Sequence, residues 1–244
     1  TLGVQAPADG YTFIWCTPSA QITTPGSLRY DPAKDLAPVS MLVAASYMLV
    51  VNPALPYRNV QELVAAAKAR PGSMNYATAG TGTFGHLMAA YFGLSTQTDL
   101  VQIPFQGEGP AMVAIMSGEV QMGFISGAGA LPHVKAGKVR ALGVSSATRM
   151  EGVPEEIPLV AQTVPGFDMV AINYMAARTG TPQPIVDRMS QAVQAVLALP
   201  AVRERIVALG VSPVSSTPAE LGRRVATERA KVVDVMQRAK IVLE

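Results

Sequence analysis

Short apolar stretches recur along the chain, spaced alternately at the two-residue repeat of strands and the three-to-four-residue repeat of helices. Residues 11–16, YTFIWC, predict a first strand. The longest apolar run, residues 41–51, is interrupted by Ser46 and closed by Asn52-Pro53, which predicts a buried strand or strand pair. A helix follows, opened by Asn59 with Glu62 three residues later as a capping box and stopped at Pro71-Gly72. Strands are predicted at 74–78, 100–105, 120–125, 139–144 and 169–176. Helices are predicted at 85–92 and 110–117, with a helix or turn at 131–136. Residues 145–168 read as loop.

Beyond that point the pattern is helical. Thr181 is expected to cap a helix with Pro182 at its first position and Ile185, Met189, Val193 and Val196 on one face. Thr217 and Glu220 form a second capping box ahead of an apolar stripe of Leu221, Val225, Val232 and Met236. Strands alternating with helices predict α/β architecture around a mostly parallel sheet.

Composition narrows the functions. With 49% hydrophobic and 15% charged residues in 244, the chain can fill a sizeable core, and its longest apolar run is too short to span a membrane. A net charge of +2 and 6% aromatics leave no basic stripe with interleaved rings, so nucleic acid is not expected as a partner. Cys16 is the single cysteine, and His86 and His133 lie far apart, so neither a disulfide nor a metal site is expected. No cofactor is expected either. The chain opens at Thr1 in what reads as the end of a helix, as if inside a domain.

The candidate chemistry lies in NYATAGTGTFGHLMAAYF, residues 75–92, with Gly80, Gly82 and Gly85 in a Gly-x-Gly-x-x-Gly pattern. A dinucleotide site also needs an acidic residue ending the next strand; that strand is LVQIPFQ and ends at Gln106. Two readings stay open. Thr78, Ala79, Gly80, Thr81, Gly82 and Thr83 can cradle a carboxylate or phosphate at a helix N-terminus, or the glycines make a tight turn that the threonines cap. Thr83 is expected to touch the ligand through both its hydroxyl and its N–H. A second glycine turn, Phe105, Gln106 and Gly107, ends the next strand, and Thr17 and Ser19 follow the first strand. His86 is a candidate ligand contact or base, without a carboxylate placed to orient it, so catalysis has little support.

DGYTF (9–13), YDPAKDLAPV (30–39), YATAGTGTFGHL (76–87), IPFQGEGPAM (103–112), LPHVKAGKVRALGVSS (131–146) and GTP (180–182) together resemble the substrate-binding proteins of tripartite tricarboxylate transporters, the Bug family. The resemblance implies a two-lobed α/β periplasmic binding protein of type II, a "Venus flytrap" with a central mixed sheet in each lobe. Residues 1–47 and 170–244 would form the first lobe and 48–169 the second. It also implies a monomeric periplasmic receptor that captures a small mono- or dicarboxylate for membrane transporter subunits. Thr17 and Ser19 would face the ligand from the first lobe; 78–83, His86, 105–107 and Ser126 from the second. The alternatives are an enzyme using His86 and a ligand-presenting partner of a membrane sensor. The family usually opens with two further strands and a Pro-Gly-Gly loop; nothing here matches them, so a longer gene product is expected. Ala114 and Ser126 stand where aspartates are common, and Phe84 where a small polar residue is usual, which leaves room for an aromatic or longer aliphatic acid.

Overall fold

The computed structural model describes residues 2–18 and 30–241. It divides into two compact units, one of Thr1–Ala44 with Ile172–Asp234 and one of Ala45–Ala171 with Val235–Glu244.

The first unit holds α1 (Leu2–Gln5), β1 (Phe13–Cys16), α2 (Pro32–Asp35), β2 (Leu36–Ala45), most of β8 (Ala171–Arg178), α7 (Gln183–Leu197), α8 (Pro200–Ala208), β9 (Ser212–Pro213) and most of α9 (Pro218–Arg238). Its sheet runs in the order β1-β8-β2-β9, with β1 antiparallel to β8 and β9 antiparallel to β2. Helix α7 packs on this sheet through Val186, Val193 and Leu197, against Val39, Leu42 and Ala177. Two expectations for α7 are corrected. Its N-cap is Pro182, and the Thr181 hydroxyl donates instead to the Arg178 carbonyl at 2.8 Å. That shift by one residue turns the buried face to Val186, Ser190, Val193 and Leu197, leaving Val196 half exposed. The Thr217–Glu220 box forms, with Thr217 N–H donating to the Glu220 carboxylate (2.8 Å) and Glu220 N–H to the Thr217 hydroxyl (3.3 Å). Glu228 lies inside the apolar stripe of α9, fully buried, and pairs with Arg224 at 3.0 Å and Lys231 at 3.6 Å.

The second unit is a five-stranded mixed sheet in the order β5-β4-β6-β3-β7. Its elements are β3 (Tyr47–Val51), α3 (Val60–Ala69), β4 (Met74–Thr78), α4 (Phe84–Thr96), β5 (Leu100–Pro104), α5 (Glu108–Ser117), β6 (Met122–Ser126), α6 (Gly127–Lys135) and β7 (Arg140–Val144). Strands β4, β5 and β6 are parallel; β3 runs antiparallel to β6 and β7. The central strands bury both faces, as Met48 to Val51 show at 0–1% exposure. On β6, Phe124 points to one side, joining Phe92 and Phe167 in an aromatic cluster with centroids 5.8–6.0 Å apart. Its neighbour Ile125 points to the other side, into the layer of α5 and α6 with Ala111, Met112 and Ile115. Asn59 caps α3 as expected, but Glu62 reaches back to the Arg58 N–H (2.6 Å) rather than to its partner's own. Helix α6 begins four residues before the expected turn, taking Gly127 and Gly129 into its first turn and Pro132 into its interior.

Ser145 joins the segments through which the chain enters and leaves this unit. Its hydroxyl accepts from Tyr47 N–H (2.9 Å) and donates to the Met169 carbonyl (2.7 Å). Its backbone completes the clasp, donating to Tyr47 O and accepting from Met169 N–H, both at 2.9 Å.

The three glycines of the 80–85 pattern do different work. Gly80 and Gly82 hold φ of 129° and 76°, where a side chain is strained, whereas Gly85 sits inside α4, where a Cβ would lie 2.7 Å from the Phe124 carbonyl oxygen. Gly109, in α5, has open space at that position. Gly85→Ala is therefore expected to destabilise the protein by about 1–3 kcal/mol through overpacking. Gly109→Ala should stabilise it by roughly 0.5–1 kcal/mol. Urea unfolding of the two variants beside the parent checks the opposite signs.

Candidate functional site

Because β4, β5 and β6 are parallel neighbours, their C-terminal ends lie along one edge of the sheet, and each feeds a helix N-terminus there. Ligands of open α/β sheets bind at such edges. Thr78 leads through the glycine loop into α4, Pro104 through Phe105–Gly107 into α5, and Ser126 directly into α6. Three positive helix ends thus meet at one margin.

The α4 terminus, like that of α5, has no side-chain cap, and its first-turn residues are buried. Its first intrahelical bond runs from Leu87 N–H to Thr83 O, so the N–H groups of Phe84, Gly85 and His86 have no helical acceptor, and the N-cap Thr83 makes no side-chain cap bond. The Thr83 hydroxyl donates to Gly80 O at 2.8 Å and closes the turn. Thr78, fully buried, accepts from Gln102 Nε2 at 2.9 Å and from Gly80 N–H at 3.4 Å, while its carbonyl takes the Phe105 N–H at 2.9 Å. The glycine loop and the second turn are therefore tied to each other. Ala79, Gly82 and Thr83 are part-exposed on this loop, and Thr81 is its exposed tip.

His86 is buried beneath that loop. Its Nδ1 accepts the Gly82 N–H at 3.0 Å, which places the ring proton on Nε2. Burial holds its pKa below the ordinary histidine value. The ring also lines a cavity of about 510 Å³ with Tyr76, Asp99 and Arg238. Phe84, which stands where the family usually carries a small polar residue, is buried with its ring centroid 5.8 Å from that of Tyr47.

The α6 terminus is capped by Ser126, which a carboxylate of the protein holds in place. Glu108, the first residue of α5, accepts from Ser126 N–H at 2.7 Å and from the Ser126 hydroxyl at 2.6 Å; that hydroxyl in turn accepts from Gly129 N–H at 3.2 Å. Ser126 thus has its one hydroxyl proton committed. Tyr47 stands between the two ends: it is the register partner of Ser126 across β3 and β6, its Cε1 lies 3.8 Å from a Cβ built on Gly85, and the charge of Glu108, after burial, raises its phenol pKa. Neither Glu108 nor Tyr47 was singled out from sequence. Thr17 belongs to the first unit, just past β1, and Ser19 lies outside the described residues. Gln106 is exposed; Phe105 and Gly107 are partly buried beside the glycine loop, Phe105 O lying 3.8 Å from a Cβ built on Gly80. Among the described residues no group of three or more His, Cys, Asp or Glu could hold a metal ion, and no helix is long and apolar enough to cross a membrane.

The family of tripartite tricarboxylate transporter receptors matches residues 2–241. The chain belongs to that family. It is 32% identical to Protein BugT of Bordetella pertussis, over 92% of this chain and 70% of BugT. Identity is 31% to a UPF0065 protein of Bordetella bronchiseptica, over 99% of this chain and 73% of that protein. Among solved structures, a protein of R. palustris with adipate superposes at a TM-score of 0.83 with 28% identity, over 99% of this chain and 82% of that one. MatC of Rhodopseudomonas palustris with bound malate gives 0.76 and 28%, over 96% and 82%. The fold of this receptor is accordingly the α/β, two-lobed type II binding-protein fold.

The burial of His86 gives the receptor a pH signature. The unfolded imidazole takes up its proton near pH 6.5, whereas folded His86 resists protonation, so the unfolded chain binds more protons between those two values and stability falls as pH drops through that window. The contribution is whole above about pH 6.5. Urea midpoints measured from pH 7.5 to 5 should show the advantage of the parent over His86→Phe shrinking steadily; a constant difference would remove His86 from this role.

Proposed function

We propose that the chain is the periplasmic, monomeric receptor that captures a small organic carboxylate and delivers it to the membrane subunits of a tripartite tricarboxylate-type transporter. The observation that carries this reading is the α4 terminus, where three unpaired backbone N–H groups and the helix dipole stand behind a pinned glycine loop. Relatives that hold adipate and malate support the ligand class. Residues 79–83 and the first turn of α4 form the carboxylate contact, the N–H groups donating and Thr83 shaping the turn. Phe105 and Gln106 border the ligand from the second turn.

The state of His86 favours a receptor over an enzyme. Its Nδ1 lone pair is taken by Gly82 N–H and its Nε2 carries the proton, so neutral His86 has no free lone pair with which to act as a base. Binding and turnover separate the two readings directly.

Calorimetric titration with a panel of mono- and dicarboxylates, followed by mass spectrometry after long incubation, should show saturable binding and unchanged ligand. Conversion of any bound acid would overturn the receptor reading. A charge-assisted hydrogen bond contributes about 1.5–3 kcal/mol, so Thr83→Val should weaken binding roughly ten- to a hundredfold if the ligand recruits the hydroxyl, and about tenfold or less if the hydroxyl only shapes the turn. In the second case the ligand-free melting temperature falls as well.

A further inference from the structure

The carboxylate-receptor reading leaves open what the other end of the ligand looks like, and the same sheet edge answers it. The edge carries two unlike ends. At α4 it offers first-turn N–H groups with no side-chain cap; at α6 the capping residue Ser126 is held by the Glu108 carboxylate. Each Glu108 oxygen accepts one bond from Ser126 and keeps a lone pair. Among the described residues no lysine, arginine or histidine forms an ion pair with it. Glu108 is partly buried, so its charge is only partly screened.

Tyr47 measures how close the two ends are. Its ring lies against the start of α4, beside Phe84 and the Gly85 position, and its backbone pairs with Ser126, the residue that holds Glu108. The Tyr47 backbone is fixed from behind, because the Ser145 hydroxyl accepts from its N–H and the Ser145 N–H donates to its carbonyl. One aromatic residue therefore separates the donor end from the acceptor end. A ligand whose carboxylate docks on α4 extends its far group past Tyr47 toward Glu108.

We propose that Glu108 is a specificity determinant: it selects carboxylates whose far end donates a hydrogen bond, a hydroxyl or an ammonium group, and rejects acids ionised at both ends. A second carboxylate brought beside Glu108 meets a like charge that no cation among the described residues pairs with, whereas a donor completes the free lone pairs. This rests on the receptor reading above and sharpens its ligand class.

The test uses acids matched in length. At pH 8 the parent protein is titrated with adipate, 6-hydroxyhexanoate and 6-aminohexanoate, and with terephthalate, 4-(hydroxymethyl)benzoate and 4-(aminomethyl)benzoate. The hydroxy or amino acid of at least one set should bind about tenfold or more tightly than its diacid. Glu108→Gln, with its melting temperature checked, should erase most of that preference by strengthening diacid binding. Equal or tighter binding of the diacids by the parent overturns the assignment and leaves the receptor reading standing; this arm decides even if the variant does not fold. A preference that survives intact in folded Glu108→Gln also overturns it. Failure of all six acids to bind would count instead against the carboxylate-receptor reading on which the proposal rests.

Discussion

Helix N-termini must find partners for backbone N–H groups that the helix itself cannot satisfy, and in the second unit three of them meet at one sheet edge. Three parallel strands ending together make this unavoidable. The unit resolves the demand unevenly: Ser126, held by the Glu108 carboxylate, caps α6, whereas α4 and α5 have no side-chain cap. Binding chemistry is thus a consequence of sheet topology, tuned by which end is stoppered.

The supporting residues hold this division in place. Gly85 lets α4 approach β6 closely enough for its terminus to reach the edge, since a Cβ there would meet the Phe124 carbonyl. His86 and Thr78 take up the loop N–H groups of Gly82 and Gly80, which would otherwise be free to rotate away. Ser145 fixes Tyr47 from the far side of β3, so the spacer between the two ends is anchored by backbone as well as by packing. His86, Thr78 and Ser145 spend their hydrogen-bonding capacity on the frame, and none of them takes up the first-turn N–H groups of α4.

Sequence reveals what is local and hides what depends on pairing across the chain. The Asn59 cap, the Thr217–Glu220 capping box, the strand at 74–78 and the glycine turn could be read because their signals lie within four residues of one another. The face of α7 was displaced because Thr181 and Pro182 offer two plausible starts, and the choice is made by the Arg178 carbonyl one turn back. The start of α6 was hidden because Gly127 and Gly129 look like loop residues; a carboxylate 18 residues upstream holds the N-cap serine that organises them. The burial of Glu228, which local sequence does not signal, is balanced by Arg224 and Lys231.

The same distinction explains the site. The glycine loop was visible as a possible anion cradle, since glycines, threonines and a helix start are contiguous in sequence. Glu108 and Tyr47 were invisible in that role: the first stands in an ordinary acidic position at a helix start, and the second is one more apolar-run aromatic. Only the register that sets Tyr47 opposite Ser126, and the bond from Ser126 to Glu108, turns them into a spacer and a charge. Recognition at one end therefore follows from a contiguous motif that relatives can share. Recognition at the other follows from side chains that tertiary structure brings together, and a single substitution there can change the ligand without touching the loop.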